Sequence, residues 1–207
     1  MLSGGWPSVD AVTDLVTGGD GLARCAWAAS TPDYAAYHDE EWGRPLHGDD
    51  ALYERLTLEA FQSGLSWLTI LRKRPAFRAA FDHFHLETVA GYGESDVARL
   101  LADAGIVRNR AKIDAAIANA RAALDLPDGL ATLLWSFAPA ARPDRPRSFA
   151  SVPAVTPEST AMAKALKKRG FRFVGPTTAY ALMQATGMVD DHLSGCHVKP
   201  PAAAVMG

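Results

Sequence analysis

The chain has 207 residues, 48% of them hydrophobic and 21% charged, a composition that builds a sizeable core and excludes a disordered chain. Its net charge of -2 exerts no overall pull on polyanions, so a nucleic-acid partner has to be held by local basic clusters. No apolar run reaches the ~18 residues that cross a bilayer, and the N-terminus lacks a basic stretch followed by an apolar one, so a soluble, cytoplasmic protein without membrane attachment is expected.

Residues 1–23, with five glycines around a short Val9–Val16 patch, read as an N-terminal extension, either poorly ordered or a single peripheral helix. Residues 24–198 read as one domain and 199–207 as a tail. From Asp49 onward the pattern is helix after helix, and the fold class is all-α. Asp49 or Asp50 caps a helix that Gly64 ends. Ser66 starts a second that Pro75 interrupts, and a third continues to about His83. Ser95 caps the next, stopped by Gly105 in the left-handed conformation. Another runs from about Asn109 to Leu124, with Ile113, Ala116, Ile117, Ala120 and Leu124 spaced for burial. Five prolines between Pro139 and Pro157 mark a long surface connection that could separate two helical lobes. Thr156 then caps a helix closed at Gly170, and a last helix spans Thr177 to Thr186.

Three constellations carry chemistry. The only two cysteines each have a histidine in range, Cys25 with His38 and Cys196 with His192, and together they read as a closed tetrahedral Zn²⁺ site that ties tail to head. Two alternatives stay open: buried cysteines acting as small hydrophobes beside surface histidines, and a Cys25–Cys196 disulfide, which a reducing compartment disfavours. Second, Leu52, Leu56 and Glu59 fall at i, i+4 and i+7, so a carboxylate shares the inward face of its helix. Such a group is neutral, paired with a neighbour such as Arg55, or lines a pocket for a cationic or hydrogen-bond-donating ligand. Trp27, Tyr34, Tyr37, Trp42 and Trp67 supply flat rings for stacking on an electron-poor ring, or simply fill the core. Third, Lys164 to Thr178 holds a basic helix with Lys167 and Lys168, a turn containing Arg172 and bracketed by Gly170 and Gly175, and a new helix at Thr177. That is a helix-hairpin-helix arrangement whose free N–H groups suit a phosphate, with a solvated charged helix end as the bland alternative. Gly105 to Lys112 and the Arg72–Arg78 group are weaker basic candidates.

The motifs Arg24-Cys25-x-Trp27, Tyr34-x-x-Tyr37-His38-Asp39-x-Glu41-Trp42-Gly43, Glu59-x-x-Gln62-x-Gly64-Leu65-Ser66-Trp67, Lys167-Lys168-Arg169-Gly170-Phe171-x-Phe173-Val174-Gly175 and Asp191-His192 occur in this order over about residues 24–198. In them the chain resembles the bacterial 3-methyladenine-DNA glycosylase I family. The resemblance implies a compact helical glycosylase of the helix-hairpin-helix superfamily, with one structural Zn²⁺ on Cys25, His38, His192 and Cys196. It implies a repair enzyme acting on double-stranded alkylated DNA that flips 3-methyladenine out of the stack and hydrolyses its N-glycosidic bond. No lysine sits where Schiff-base chemistry would place one, so a monofunctional enzyme without lyase activity is expected, and a monomer. Glu59 then becomes the catalytic pocket carboxylate and Trp27, Tyr34, Tyr37, Trp42 and Trp67 its substrate-binding walls. Gly64 and Leu65 become the wedge that fills the gap, and Lys167, Lys168, Arg172, Gly175 and Thr177 hold the DNA. Asp190 and Asp191 are expected to support or cap, with Asp190 the weaker match. A non-catalytic DNA-binding module is the rival from another class, and an iron–sulfur relative is disfavoured because a four-iron cluster wants four thiolates.

Overall fold

The computed structural model describes residues 14–141 and 143–200. Strands β1 (Leu15–Thr17) and β2 (Ala23–Cys25) form an antiparallel hairpin with Leu15 opposite Cys25. The fold is therefore mainly rather than wholly helical, and the expected peripheral helix gives way to a strand at 15–17. The rest of the Val9–Val16 patch, and most of the expected extension, lie outside the described residues. Arg24 explains the hairpin's attachment: its guanidinium bridges Asp20 at 2.7 Å and Asp39 at 2.8 Å, which staples the hairpin to the first helix.

A 3-10 turn over Ala26–Ser30 leads into α1 (Pro32–Glu40), followed by α2 (Asp49–Gln62), α3 (Trp67–Ala80) and a second 3-10 turn over Asp82–Phe84. Then come α4 (Leu86–Ala90), α5 (Glu94–Ala102), α6 (Arg110–Leu124), α7 (Gly129–Trp135), α8 (Pro157–Lys168) and α9 (Pro176–Ala185). α2 is the axis of the molecule. It packs against α3, α6, α7 and α9 and buries Leu52, Leu56, Leu58 and Phe61 completely. The main core runs without a break from Tyr37 through Leu134 to Met183, so the proline-rich connection does not divide two lobes. A smaller apolar cluster of Cys25, Leu193, Cys196 and Val198 joins the ends of the described chain.

Local chemistry set most boundaries. The Ser66 hydroxyl caps α3 by accepting from Thr69 N–H at 3.2 Å, Asn109 caps α6 on Lys112 N–H, and Thr156 caps α8 on Ser159 N–H. Pro75 does not interrupt its helix, contrary to expectation. It sits exposed, where water can satisfy the carbonyl it frees, while Ile70, Leu71, Phe77 and Ala80 bury the helix on both sides of it. α5 starts one residue before Ser95, with Gly93 at its cap, and ends at Ala102; Gly105 is not left-handed. A Cβ at Gly105 would meet that of Ala76 at 2.9 Å, so close approach and not backbone sign selects glycine there. Leu124, expected inside, is exposed at the end of α6.

Candidate active site

α2, α1 and α9 converge on a cleft of about 150 Å³ lined by Trp27, Tyr34, Tyr37, Trp42, Glu59, Gln62, Trp67, Ala181 and Gln184. All five aromatic residues singled out in the sequence are there. Trp27 meets Tyr34 edge-on at 4.9 Å and Trp42 at 5.1 Å, and Tyr37 lies 5.4 Å from Trp67. The indole N–H of Trp67 is buried without a hydrogen-bond partner. A second cleft of about 240 Å³ shares Glu59, Gln62 and Ala181 and opens outward between the Ser63–Leu65 turn and Thr177–Thr178 at the start of α9. The two clefts therefore share a wall of Glu59, Gln62 and Ala181.

Glu59 stands where the two meet. It is only 6% exposed and receives no hydrogen bond from any described residue, and burial raises its carboxyl pKa to about 7, partly offset by the charge of Arg55. Arg55 is not its ion-pair partner. Its guanidinium donates to the Tyr37 hydroxyl at 2.9 Å, reaches Glu41 at 3.4 Å, and lies 5.4 and 5.5 Å from the Tyr37 and Trp67 ring centroids. Glu41 is held chiefly by Arg74, at 2.5 and 2.7 Å. Burial also pushes up the Tyr37 and Tyr34 phenols, so both stay neutral hydroxyls.

Gln62, Ala181 and Gln184 line the chamber and were not assigned a part from sequence. Gln62 lies one turn after Glu59 in the quoted motif, which was the available signal. Ala181 and Gln184 come from α9, and nothing local in the sequence ties that helix to Glu59. The Gln184 amide is fixed by Asp191 at 2.7 Å, and Asp191 also accepts from Tyr180 at 2.7 Å.

At the outer cleft, Gly64 is left-handed (φ 81) and turns the chain between α2 and α3 so that Leu65 is 42% exposed instead of buried as an ordinary helix break would leave it. Across from it α8 and α9 pack closely around the 169–175 turn, with Lys167, Lys168, Arg172, Gly175 and Thr177 all exposed. Gly175 precedes α9 with no side-chain cap, which leaves the first N–H groups of that helix free. Phe173 in this turn adopts φ 56 and is 43% exposed, a strained and solvent-facing aromatic that sequence reading passed over.

The Cys/His constellation adjoins the chamber. The donor atoms of Cys25, His38 and Cys196 all lie within 4.8 Å of one another, with His38 Nε2 3.5 Å from Cys196 Sγ. His192 stands beside them, its ring 4.8 Å from that of His38, but its Nε2 faces the His38 carbonyl at 3.4 Å and it is not part of that tight triplet. Ligands of a tetrahedral Zn²⁺ at ~2.0–2.3 Å are spaced by about 3.3–3.8 Å, a separation that the His38 Nε2–Cys196 Sγ pair already has. The chemistry fits as well. His38 Nδ1 pairs with Asp39 and His192 Nδ1 with Asp190, each at 2.7 Å, which orients both Nε2 atoms as donors. Asp190, not Asp191, is thus the carboxylate behind His192, and Arg145 anchors it at 2.9 Å. A Cβ on left-handed Gly43 would stand 2.8 Å from His192 Cε1, so only glycine admits that ring. The two cysteines are not joined by a disulfide, and their proximity eases ionisation of the Cys196 thiol and opposes that of Cys25.

The methyladenine glycosylase family profile matches residues 27–199. The chain belongs to that family. It is 45% identical over 183 residues to DNA-3-methyladenine glycosylase 1 of Escherichia coli, a match covering 86% of this chain and 98% of the relative. A crystal structure of 3-methyladenine DNA glycosylase I superposes with TM-score 0.82 at 46% identity, covering 86% of this chain and all of that one. A further glycosylase I structure, of a variant in complex with 3-methyladenine, superposes with TM-score 0.81 at 35% identity over 86% of this chain and 98% of that one. These family relatives share the helical frame on which the chamber is built. Among the described residues no helix is long and apolar enough to cross a membrane.

Proposed function

We propose that this chain is a DNA repair glycosylase that excises 3-methyladenine from alkylated duplex DNA by hydrolysing the N-glycosidic bond, leaving an abasic site and performing no lyase step. The observation that carries the reading is Glu59, a carboxylate enclosed by tryptophan and tyrosine faces and receiving no hydrogen bond from any described residue. Burial has taken from it the water that would stabilise its charge, so a cationic purine gains more in this chamber than a neutral one. The ring faces add cation–π attraction of about 2 kcal/mol when desolvated. Glu59 accepts from the adenine amino edge and supports the positive charge on base and sugar. Strong base catalysis is unnecessary, because an alkylated, positively charged purine is already a good leaving group; finding, flipping and orienting it is the larger task.

The outer cleft supports the flipping step. Gly64 and Leu65 form the wedge that takes the place of the extruded base, and the free N–H groups after Gly175, with Lys167, Lys168 and Arg172, hold a phosphate in a helix-hairpin-helix grip. Cys25, His38, His192 and Cys196 hold one structural Zn²⁺, which supplies cross-linking and no reaction step. Chromatography of bases released from methylated duplex DNA tests the reading. Freed 3-methyladenine is expected, whereas binding to the DNA without release would instead favour the non-catalytic module.

A further inference from the structure

The two lips of the outer cleft are tied to one helix. Lys112, only 8% exposed, donates from Nζ to the carbonyls of Phe61 at 2.9 Å and Ser63 at 2.7 Å, the last turn of α2 before Gly64 and Leu65. Asn119, 1% exposed, makes a two-way amide bond with the hairpin: its Nδ2 donates to the Arg172 carbonyl at 3.1 Å, and its Oδ1 accepts from Arg172 N–H at 2.7 Å. The two residues are seven positions apart on α6, so they share one helix face about 10.5 Å from each other. Neither lines either cleft.

Each interaction is costly to place and specific once placed. A buried ammonium loses hydration, and burial lowers the Lys112 pKa; two carbonyls at a helix C-terminus, where the backbone dipole is negative, are what offsets that loss. An apolar residue would fill the same space without the desolvation cost but would leave the Phe61 and Ser63 carbonyls unheld. Asn119 likewise reads no side chain; it fixes the backbone of the turn that carries Arg172. Lys112 is also unsuited to attack a sugar, since it faces backbone acceptors and no cleft.

We infer that Lys112 and Asn119 are positioning residues, a strut on α6 that fixes the separation between the Gly64–Leu65 wedge and the hairpin, so that gripping the phosphate brings the wedge into register with the lesion. The inference rests on the glycosylase reading of these two lips. It predicts a defect in flipping with an intact chamber. Lys112→Met should bind free 3-methyladenine as the unaltered protein does, yet excise it from duplex DNA about tenfold to a hundredfold more slowly in single turnover, the loss expected when a reacting group is displaced by ~1 Å. The defect should largely disappear on single-stranded methylated DNA, where no base has to be displaced from a partner; a merely structural role would not discriminate between these substrates.

Asn119→Ser carries the same test if Lys112→Met does not fold. Because both residues act on one distance, the double variant should lose little more than the worse single one. The outcomes separate cleanly. Unaltered protein that releases no 3-methyladenine sinks the glycosylase reading itself. An active unaltered protein sinks the strut alone if Lys112→Met retains full duplex activity, loses free-base binding in step with excision, is equally impaired on single strands, or combines additively with Asn119→Ser.

Discussion

A carboxylate that burial holds at a pKa of about 7, against an ordinary value of 4.5, couples the stability of the chain to pH through one residue. The folded value is raised, so the stability associated with Glu59 is fully present below the unfolded value and is lost as pH rises through about 7. Glu59→Gln cannot ionise. It should therefore be more stable than the unaltered chain by roughly 3 kcal/mol at pH 8 and equal to it near pH 4, as read by urea unfolding at both values. Activity should move the other way: kcat/KM on methylated DNA falls on acidification below about 7 as Glu59 is neutralised, and Glu59→Gln is slow with a flat profile. A variant that is destabilised at pH 8 would mean the acid is paired in solution, contrary to the geometry. Leu65→Ala makes the complementary case. At 42% exposure it should change stability by less than about 0.5 kcal/mol and still cut duplex excision severalfold, measured by melting and single-turnover release. The inward face of Glu59 was legible because helical period alone puts it beside Leu52 and Leu56. Its freedom from Arg55 was not, since the choice between Glu59 and the Tyr37–Glu41 pair depends on where α1 crosses α2.

At the scale of elements, long helices with polar caps were readable and short ones were not. α2, α6, α8 and α9 announce themselves by Asn109, Thr156 or a following glycine and by apolar residues at i, i+4 and i+7. α4 and α7 are five and seven residues long, too short for a period to emerge, and exist because their neighbours bury Val89, Leu130 and Leu134. The β1–β2 hairpin has three residues per strand and owes its place to the Arg24 bridges, which only the folded chain supplies. Likewise the rule that proline breaks a helix is local, and burial on both sides of Pro75 overrides it. In the proposed DNA grip of the α8–α9 hairpin, the cationic residues meet phosphates and not base edges, so they do not discriminate between DNA sequences. Lys168→Ala should weaken binding to any duplex by a similar factor and reduce the slope of log K against log salt by about 1. Unchanged slope in a salt titration removes Lys168 from the contact surface.

Across the whole molecule, the proposed metal site closes the chain on itself, since His38 and His192 are 154 positions apart and meet ring to ring. It is also continuous with the chamber. Trp27 lies 5.2 Å from the His38 ring and Trp42 4.7 Å from the His192 ring, while both tryptophans line the cleft that holds Glu59. A Zn²⁺ bound there would therefore do two things: add stability of the kind that structural zinc gives small domains, and set the position of two chamber walls. Cys196→Ser removes one donor while keeping nearly the same volume. The expected result is loss of the stoichiometric zinc by elemental analysis and a fall in Tm of about 10 °C, which corresponds to roughly 3–5 kcal/mol in a chain of this size. The tryptophan emission should shift as Trp27 and Trp42 loosen, and binding of free 3-methyladenine should weaken in parallel, because the walls move together with the clasp. Melting should be insensitive to reductant in both forms, which a Cys25–Cys196 disulfide would not allow. Retention of one zinc per chain by Cys196→Ser would displace the metal to another donor set, of which His38, Asp39 and His197 are the nearest grouping among the described residues.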